Sequence, residues 1–318
     1  MMNVLLIGAG FWGAKILNTL KKFNDINIKV FDTNTKILDE LINQNISITN
    51  NLNESIADSN TDAVFIITPP HTHFELADQS LKHNKHVFVE KPITLAYNDA
   101  LNLKKTAESN NKILHTDNTF IYTPEINFLK QVINFDFIGK ITNFESTRAN
   151  WGPFKKDIDV VWDLMTHDIS ILNYIVPNKY ILQGVSATGS NQINKNVIEK
   201  ARATLFYSND FTAYIDVSFL NHNKVRKIAL NGTLGIVHND SALLDAKLVI
   251  ERPNQTPKAY EPQQLIDPLY LEINHFFESI KQNKNTLSGA NEGVWTVKVL
   301  EKISQSIKNN GEYIRVNE

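Results

Sequence analysis

The chain has 318 residues, 42% hydrophobic and 21% charged, with a formal net charge of -2; that is long for one ordinary domain and too apolar for a disordered chain. Lys and Arg are scattered rather than clustered, which argues against a nucleic-acid partner, and the absence of cysteine excludes disulfides and thiolate chemistry. No apolar run approaches the ~20 residues of a membrane span, and the apolar patch at residues 4–7 is too short and wrongly flanked for a signal peptide, so a cytoplasmic protein is expected.

That patch predicts a first strand, and Ile16, Leu17, Leu20 and Phe23 continue at helical spacing. A second strand is expected over residues 28–31 and a short helix over 36–41. Residues 62–67 are near-continuously β-branched and apolar, as expected of a strand covered on both faces. A helix over 74–82, a strand ending at Val89, a helix over 95–109 and a strand over 112–116 follow. This alternation predicts a doubly wound parallel sheet. Beyond residue 120 the rhythm changes. A helix over 124–133, a strand over 141–149 and a helix over 163–175 lead into strands at 181–188, 197–207, 211–219, 225–231 and 234–238. Asn209-Asp210 marks a turn between two of these strands, and helices over 269–281 and 292–308 close the pattern. The fold class is α/β, with an N-terminal Rossmann-type domain over residues 1–118. An α+β domain with a large, mostly antiparallel open sheet fills 119–318.

Gly8-Ala9-Gly10-Phe11-Trp12-Gly13 has the spacing G-x-G-x-x-G between the first strand and the first helix. Such glycines give a tight turn, close approach to a pyrophosphate and close helix–strand packing, so the loop is a candidate dinucleotide site. Asp32 ends the second strand where a ribose-binding carboxylate is expected; capping the following turn is its plainer role. A carboxylate there, with no Arg beside it, favours NAD over NADP. Thr68-Pro69-Pro70-His71-Thr72-His73 leaves the carboxyl edge of the sheet, either as turn chemistry or as a second cofactor-facing loop. Glu90-Lys91-Pro92 leaves the same edge, either as an exposed ion pair of little worth or as a functional charge, with the Lys91–Pro92 bond a candidate for cis geometry. A lysine there suits a substrate hydroxyl and its developing alkoxide. In the second domain Asp163 and His167 are spaced i, i+4, which suits an oriented general base, although from spacing alone a helix cap with a core histidine is the stronger reading. Asp163, His167 and Asp168 do not all share one face, so no metal is expected. Arg148 is a candidate for a substrate carboxylate or diphosphate, or else an exposed strand arginine.

The ordered set of these motifs resembles the Gfo/Idh/MocA family of NAD(P)-dependent oxidoreductases nearly end to end. The glycine loop, the segment from Thr68 to His73, Val89-Glu90-Lys91-Pro92, Asp163-x-x-x-His167 and Leu230-Asn231-Gly232-Thr233-Leu234-Gly235 carry the resemblance. It implies a Rossmann domain that binds NAD through Gly8, Gly10, Phe11, Trp12, Gly13, Asp32, Thr68, Pro69, Pro70, His73, Glu90 and Lys91. The second domain would bind substrate and build a homodimer or homotetramer through its sheet. Lys91, Asp163 and His167 are the implied catalytic groups, His167 taking the hydroxyl proton with Asp163 behind it, although some members give the base role to the lysine. The segment Arg148-Ala149-Asn150-Trp151-Gly152, with the residues following Val161, is similar to a branch that includes 3-dehydrogenases of UDP-N-acetylglucosaminuronate, which has Leu where Trp151 stands. The implied substrate is a sugar or nucleotide-sugar, oxidised at a secondary hydroxyl. Dehydrogenases of free sugars or inositols, and a non-catalytic sensor on the same scaffold, are the alternatives.

Overall fold

A computed structural model describes residues 1–152, 158–239, 248–261 and 266–316. The chain begins β1 (Met2–Ile7), α1 (Phe11–Leu20), β2 (Ile26–Phe31), α2 (Thr35–Asn43), β3 (Ser47–Ile48) and α3 (Leu52–Ala57). It continues β4 (Ala63–Ile66), α4 (His73–Lys82), β5 (His86–Val89), α5 (Tyr97–Ser109) and β6 (Leu114–Thr116). These strands form one parallel sheet in the order β3-β2-β1-β4-β5-β6. Strand order reverses between β1 and β4, the switch point at whose carboxyl side ligands of such sheets bind. All four residues of β4 are buried, as its unbroken apolar run predicts. The two-residue β3 and six-residue α3 are too short to leave a periodic signal and are additions to the predicted elements.

The chain then runs α6 (Pro124–Asn134), β7 (Ile141–Trp151), a π-helical turn (Val161–Met165), α7 (Thr166–Ile175), β8 (Leu182–Ser190), β9 (Lys200–Tyr207) and β10 (Thr212–Ser218). Next come β11 (Leu220–Gly232), β12 (Gly235–Asn239), β13 (Leu248–Glu251) and β14 (Lys258–Tyr260), before α8 (Pro268–Gln282), α9 (Ala290–Lys308) and β15 (Ile314–Arg315). The second sheet has nine strands in the order β14-β13-β12-β11-β7-β10-β9-β8-β15. Its pairs are antiparallel except β7 with β10. Burial alternates along β9 and β10, so Ala203, Leu205, Ala213, Ile215 and Val217 enter the core while the opposite face stays accessible. Asn209 and Asp210 both adopt positive φ, 60° and 59°, the left-handed conformation these side chains tolerate in a tight hairpin.

By contacts the chain divides into Met1–Thr119 with Ile266–Val297, and Phe120–Leu265 with Lys298–Glu318. The first break lies next to the expected boundary at 118, but the undivided second domain over 119–318 needs correction. Leu269, Ile273, Phe276 and Phe277 of α8 belong to the core of the first unit, with Leu6, Val30, Phe65 and Phe88. Phe276 meets Phe65 and Phe88 edge-on, with ring centroids 5.5 and 5.6 Å apart. A helical apolar stripe declares that a face is buried, not which sheet receives it. Among the described residues no helix is long and apolar enough to cross a membrane.

Candidate cofactor and substrate sites

Gly8 follows β1 with φ +90°, and a Cβ there would lie 2.4 Å from the Ile67 carbonyl oxygen. A Cβ on Gly13 would lie 2.1 Å from the Gly8 oxygen. The chain's own packing therefore demands both glycines. Gly10 differs, because nothing lies within 4 Å of where its Cβ would stand. The protein has no steric need for glycine there, whereas a pyrophosphate approaching the backbone does. α1 starts directly after Gly10 without a side-chain cap, leaving first-turn N–H groups for phosphate oxygens. Asp32 Oδ2 accepts from Ala9 N and Oδ1 from Asn34 N, both at 2.7 Å. It thus caps its own turn and fastens it to the glycine loop, and each oxygen keeps a second lone pair for a ribose hydroxyl. These residues fit a dinucleotide. Phe11 is 83% exposed, while the Trp12 indole N–H donates inward to Asp117 Oδ2 at 2.7 Å.

Thr68, Pro69 and Pro70 leave β4 at the carboxyl edge. The Thr68 and Thr72 hydroxyls are 2.6 Å apart, and Thr72 also donates to the Pro69 carbonyl. His73 is fully buried; its ring nitrogens lie 2.8 Å from the Pro92 and Thr68 carbonyl oxygens. It ties the two rim loops together, shaping the edge from within rather than offering its ring to a ligand. Burial lowers its pKa, against the opposite pull of the two carbonyls. Glu90 N donates to Ile66 O at 2.9 Å. Glu90 and Lys91 follow β5 on the same edge, half-buried, and the Lys91–Pro92 peptide is cis.

In the second unit, Asp159 Oδ1 accepts from Val161 N at 2.9 Å and Trp162 N at 3.1 Å. Asp159 is therefore the helix cap, which corrects the capping role considered for Asp163. Asp163 lies inside the π-helical turn, 7% exposed, and turns of this kind concentrate at functional sites. His167 is the second residue of α7, with its ring edge-on to Phe120 at 4.8 Å. Arg148 is not an exposed strand residue: it is 2% exposed and pairs twice with Asp168, at 3.1 and 3.2 Å. Its guanidinium also stacks 4.5 Å from the Phe120 ring centroid. Asp168 thereby fixes local structure, and two of the Arg148 nitrogens are committed to it. Asn150 accepts from Arg226 Nη2 at 2.9 Å and donates to the Gly152 carbonyl. Burial, then the neighbouring Arg148, pulls the Arg226 pKa down to about 10, with Asp168 and Asp163 opposing. Trp151 is 54% exposed and stacks on His222 at 5.2 Å.

The motifs alone miss Phe120, Asp159 and Arg226. Arg226 is the direct cross-strand partner of Arg148 in the β7–β11 register, a pairing the sequence alone does not fix, and two arginines so placed call for shared acids. Among the described residues no group of three or more His, Asp or Glu side chains could hold a metal ion.

Residues 2–118 match the family model described as the oxidoreductase family with NAD-binding Rossmann fold, Gfo/Idh/MocA. Residues 126–238 match the Gfo/Idh/MocA C-terminal domain. Over 111 residues the chain is 34% identical to UDP-N-acetylglucosamine 3-dehydrogenase from Acidithiobacillus ferrooxidans, covering 35% of this chain and 34% of that one. It spans 41% and 36% of the length of two other curated relatives, both uncharacterised oxidoreductases. An oxidoreductase from Agrobacterium radiobacter, in complex with NAD+, L-tartaric acid and magnesium, superposes with a TM-score of 0.89 at 18% identity, over 99% of this chain and 98% of that one. Levoglucosan dehydrogenase in complex with NADH and L-sorbose gives 0.88 at 19% identity, over 99% and 98%. At such identities the likeness is one of fold. With both family models matched and every glycine of the nucleotide loop in place, the chain belongs to the Gfo/Idh/MocA oxidoreductase family and carries its NAD-binding Rossmann fold.

Proposed function

We propose that the protein is an NAD-dependent dehydrogenase acting on a secondary hydroxyl of a sugar or nucleotide-sugar, with carbon 3 of a UDP-linked sugar the favoured position. The observation that carries this is Gly10, the one loop glycine that the chain's own packing does not require. It occurs in a chain that also has Lys91 on the carboxyl rim and Asp163 and His167 in one helical segment. Bound NAD supplies the hydride acceptor. Lys91 holds the substrate oxygen with its ammonium and stabilises the alkoxide as the C–H bond gives up its hydride. His167 takes the hydroxyl proton, oriented by Asp163. The product would be a ketone, the hydroxyl proton leaving through His167. The accessible face of the nine-stranded sheet, with Tyr214 43% exposed on β10, supports assembly into a homodimer or homotetramer.

The test is NAD reduction across UDP- and dTDP-sugars, uronates, free hexoses and inositols, repeated with Lys91→Ala. The variant is expected to lose roughly 10²–10⁴-fold in turnover, as for general acid–base groups. Full activity in Lys91→Ala removes the lysine from the mechanism. NADH binding without turnover on any of these substrates would point to a sensor instead.

A further inference from the structure

Beneath the nucleotide loop, two carboxyl groups distant in sequence meet in the core of the first unit. Asp117 follows β6 and is 3% exposed; Glu272 projects from α8 and is 0% exposed. Asn118, next to Asp117 in the chain, donates its N–H to Glu272, which brings the two carboxyl groups close enough for each to act on the other's ionisation. Asp117 Oδ2 takes the Trp12 indole N–H at 2.7 Å, and Oδ1 takes the Thr119 hydroxyl at 2.8 Å. Glu272 Oε1 accepts from Asn118 N at 2.7 Å and lies 3.0 Å from His115 Nε2. Glu272 Oε2 is buried, and among the described residues no N–H or hydroxyl donor reaches it. Two buried carboxyl groups so placed favour a proton on one of them. Each Asp117 oxygen has a donor and Glu272 Oε2 has none, so the proton belongs on Glu272.

We propose that Asp117 and Glu272 hold one proton between them, and that Asp117 is thereby a positioning residue that fixes the glycine loop through Trp12. Trp12 is the second residue of α1, whose first N–H groups face the phosphate site. Anchoring its indole sets the helix start and hence those donors. The proposal rests on NAD binding by the loop and not on the identity of the sugar.

The charged surroundings agree. Burial first, and then the Asp117 charge, holds the Glu272 carboxyl well above the usual range. Burial raises the Asp117 carboxyl above its ordinary value, while the Trp12 and Thr119 donors and then the Lys91 charge, from the end of β5, oppose that rise. His115 on β6 is pushed down to about 3 by burial and by His275 of α8, so it faces Glu272 as a neutral ring. Thr286 Oγ1, 2.9 Å from His115 Nδ1, and the Trp12 indole from α1 add no charge. The His115–Glu272 contact is thus a hydrogen bond between neutral groups and not an ion pair.

The sign of the pH effect follows. The folded chain keeps a proton on Glu272 that the unfolded chain releases above its ordinary value of 4.5, so Glu272 makes stability fall as pH rises from there through its folded pKa. Glu272→Gln keeps a neutral donor toward Asp117 and an acceptor for Asn118, and has no proton to lose. In thermal melts of the full chain from pH 5.5 to 9, its melting temperature relative to wild type is expected to climb with pH and to be positive at the alkaline end. A difference that stays flat, or falls with pH, overturns the shared proton.

NADH titration, which needs no sugar, tests the positioning. Asp117→Ala and Trp12→Phe are each expected to weaken NADH binding about tenfold, the loss of one hydrogen bond to a charged group. The double variant is expected to be no weaker than either single one; losses that multiply would overturn the coupling. Because both readouts omit the sugar, they stand or fall separately from the dehydrogenase activity.

Discussion

In the first unit, Asp117 and Glu272 lie against each other with neutral donors bonded to them; in the second, Arg148 and Asp168 are equally buried but opposite in charge. A like-charged pair survives burial by giving up an ionisation, so its cost is paid in protons and varies with pH. An opposite pair survives through mutual attraction and bidentate geometry, and its cost appears only when one partner is removed. The difference also separates two kinds of site. The cofactor side is shaped by backbone and glycine, with charge neutralised underneath. The second unit gathers Arg148, Arg226, Asp163 and Asp168 in one mutually balancing cluster, which includes the carboxylate proposed to orient His167.

The sharpest way to break this contrast is to remove one member of the opposite pair. Arg148→Ala would strand the Asp168 carboxylate in the core, and a loss of about 3–5 kcal/mol is expected in urea unfolding. Replacing both residues with apolar ones of similar volume, Arg148→Met with Asp168→Leu, is expected to recover most of that loss. A drop below about 1 kcal/mol in Arg148→Ala would mean that water or a neighbour relieves Asp168, and that the pair resembles an exposed one.

Within the glycine loop, a pair of variants separates what the fold needs from what the ligand needs. Gly13→Ala places a methyl 2.1 Å from the Gly8 oxygen, and backbone cannot yield cheaply, so a loss of about 1–3 kcal/mol in stability is expected. Gly10→Ala meets nothing within 4 Å, and its stability is expected to stay within about 0.5 kcal/mol of wild type. Its NADH affinity is nonetheless expected to fall roughly ten- to a hundredfold, as a clash with the pyrophosphate requires. Equal NADH affinity in Gly10→Ala would remove the main structural support for the phosphate site.

How far the sequence reveals this depends on the range over which each feature is encoded. The glycine loop, the buried β4 and the Asn209-Asp210 hairpin are local, and each was legible from a few adjacent residues. The cis bond before Pro92 was legible in the same way. Trp12, Asp117 and Glu272 converge across 105 and 155 positions, and nothing in a single sequence pairs them. α8 shows its apolar stripe but not its destination, so the sequence presents the second domain as continuous. The spacing of Asp163 and His167 was visible, but the π-helical turn under Asp163 was not. A turn of that kind depends on hydrogen-bond register, and residue identity encodes register weakly. For Arg148 the sequence leaves a ligand-binding role and an exposed position both open; only the partner strand and helix show that it is buried against Asp168.

The smallest expected effect isolates burial as the cause of the largest. Arg202 and Asp216 form an ion pair at 2.8 Å between β9 and β10, shorter than either contact of Arg148 with Asp168. Their side chains are 70% and 31% exposed, against 2% and 1% for the buried pair. Water and salt screen the exposed charges, and holding two long side chains in one geometry costs entropy. Arg202→Ala is therefore expected to cost about 0.2–1 kcal/mol in urea unfolding, shrinking further as salt is raised. The loss in Arg148→Ala is expected to persist at high salt, because its stranded carboxylate lies beyond the reach of the ions. If distance rather than burial governed the two pairs, Arg202→Ala would be the costlier variant, and the contrast between the two units would lose its physical basis.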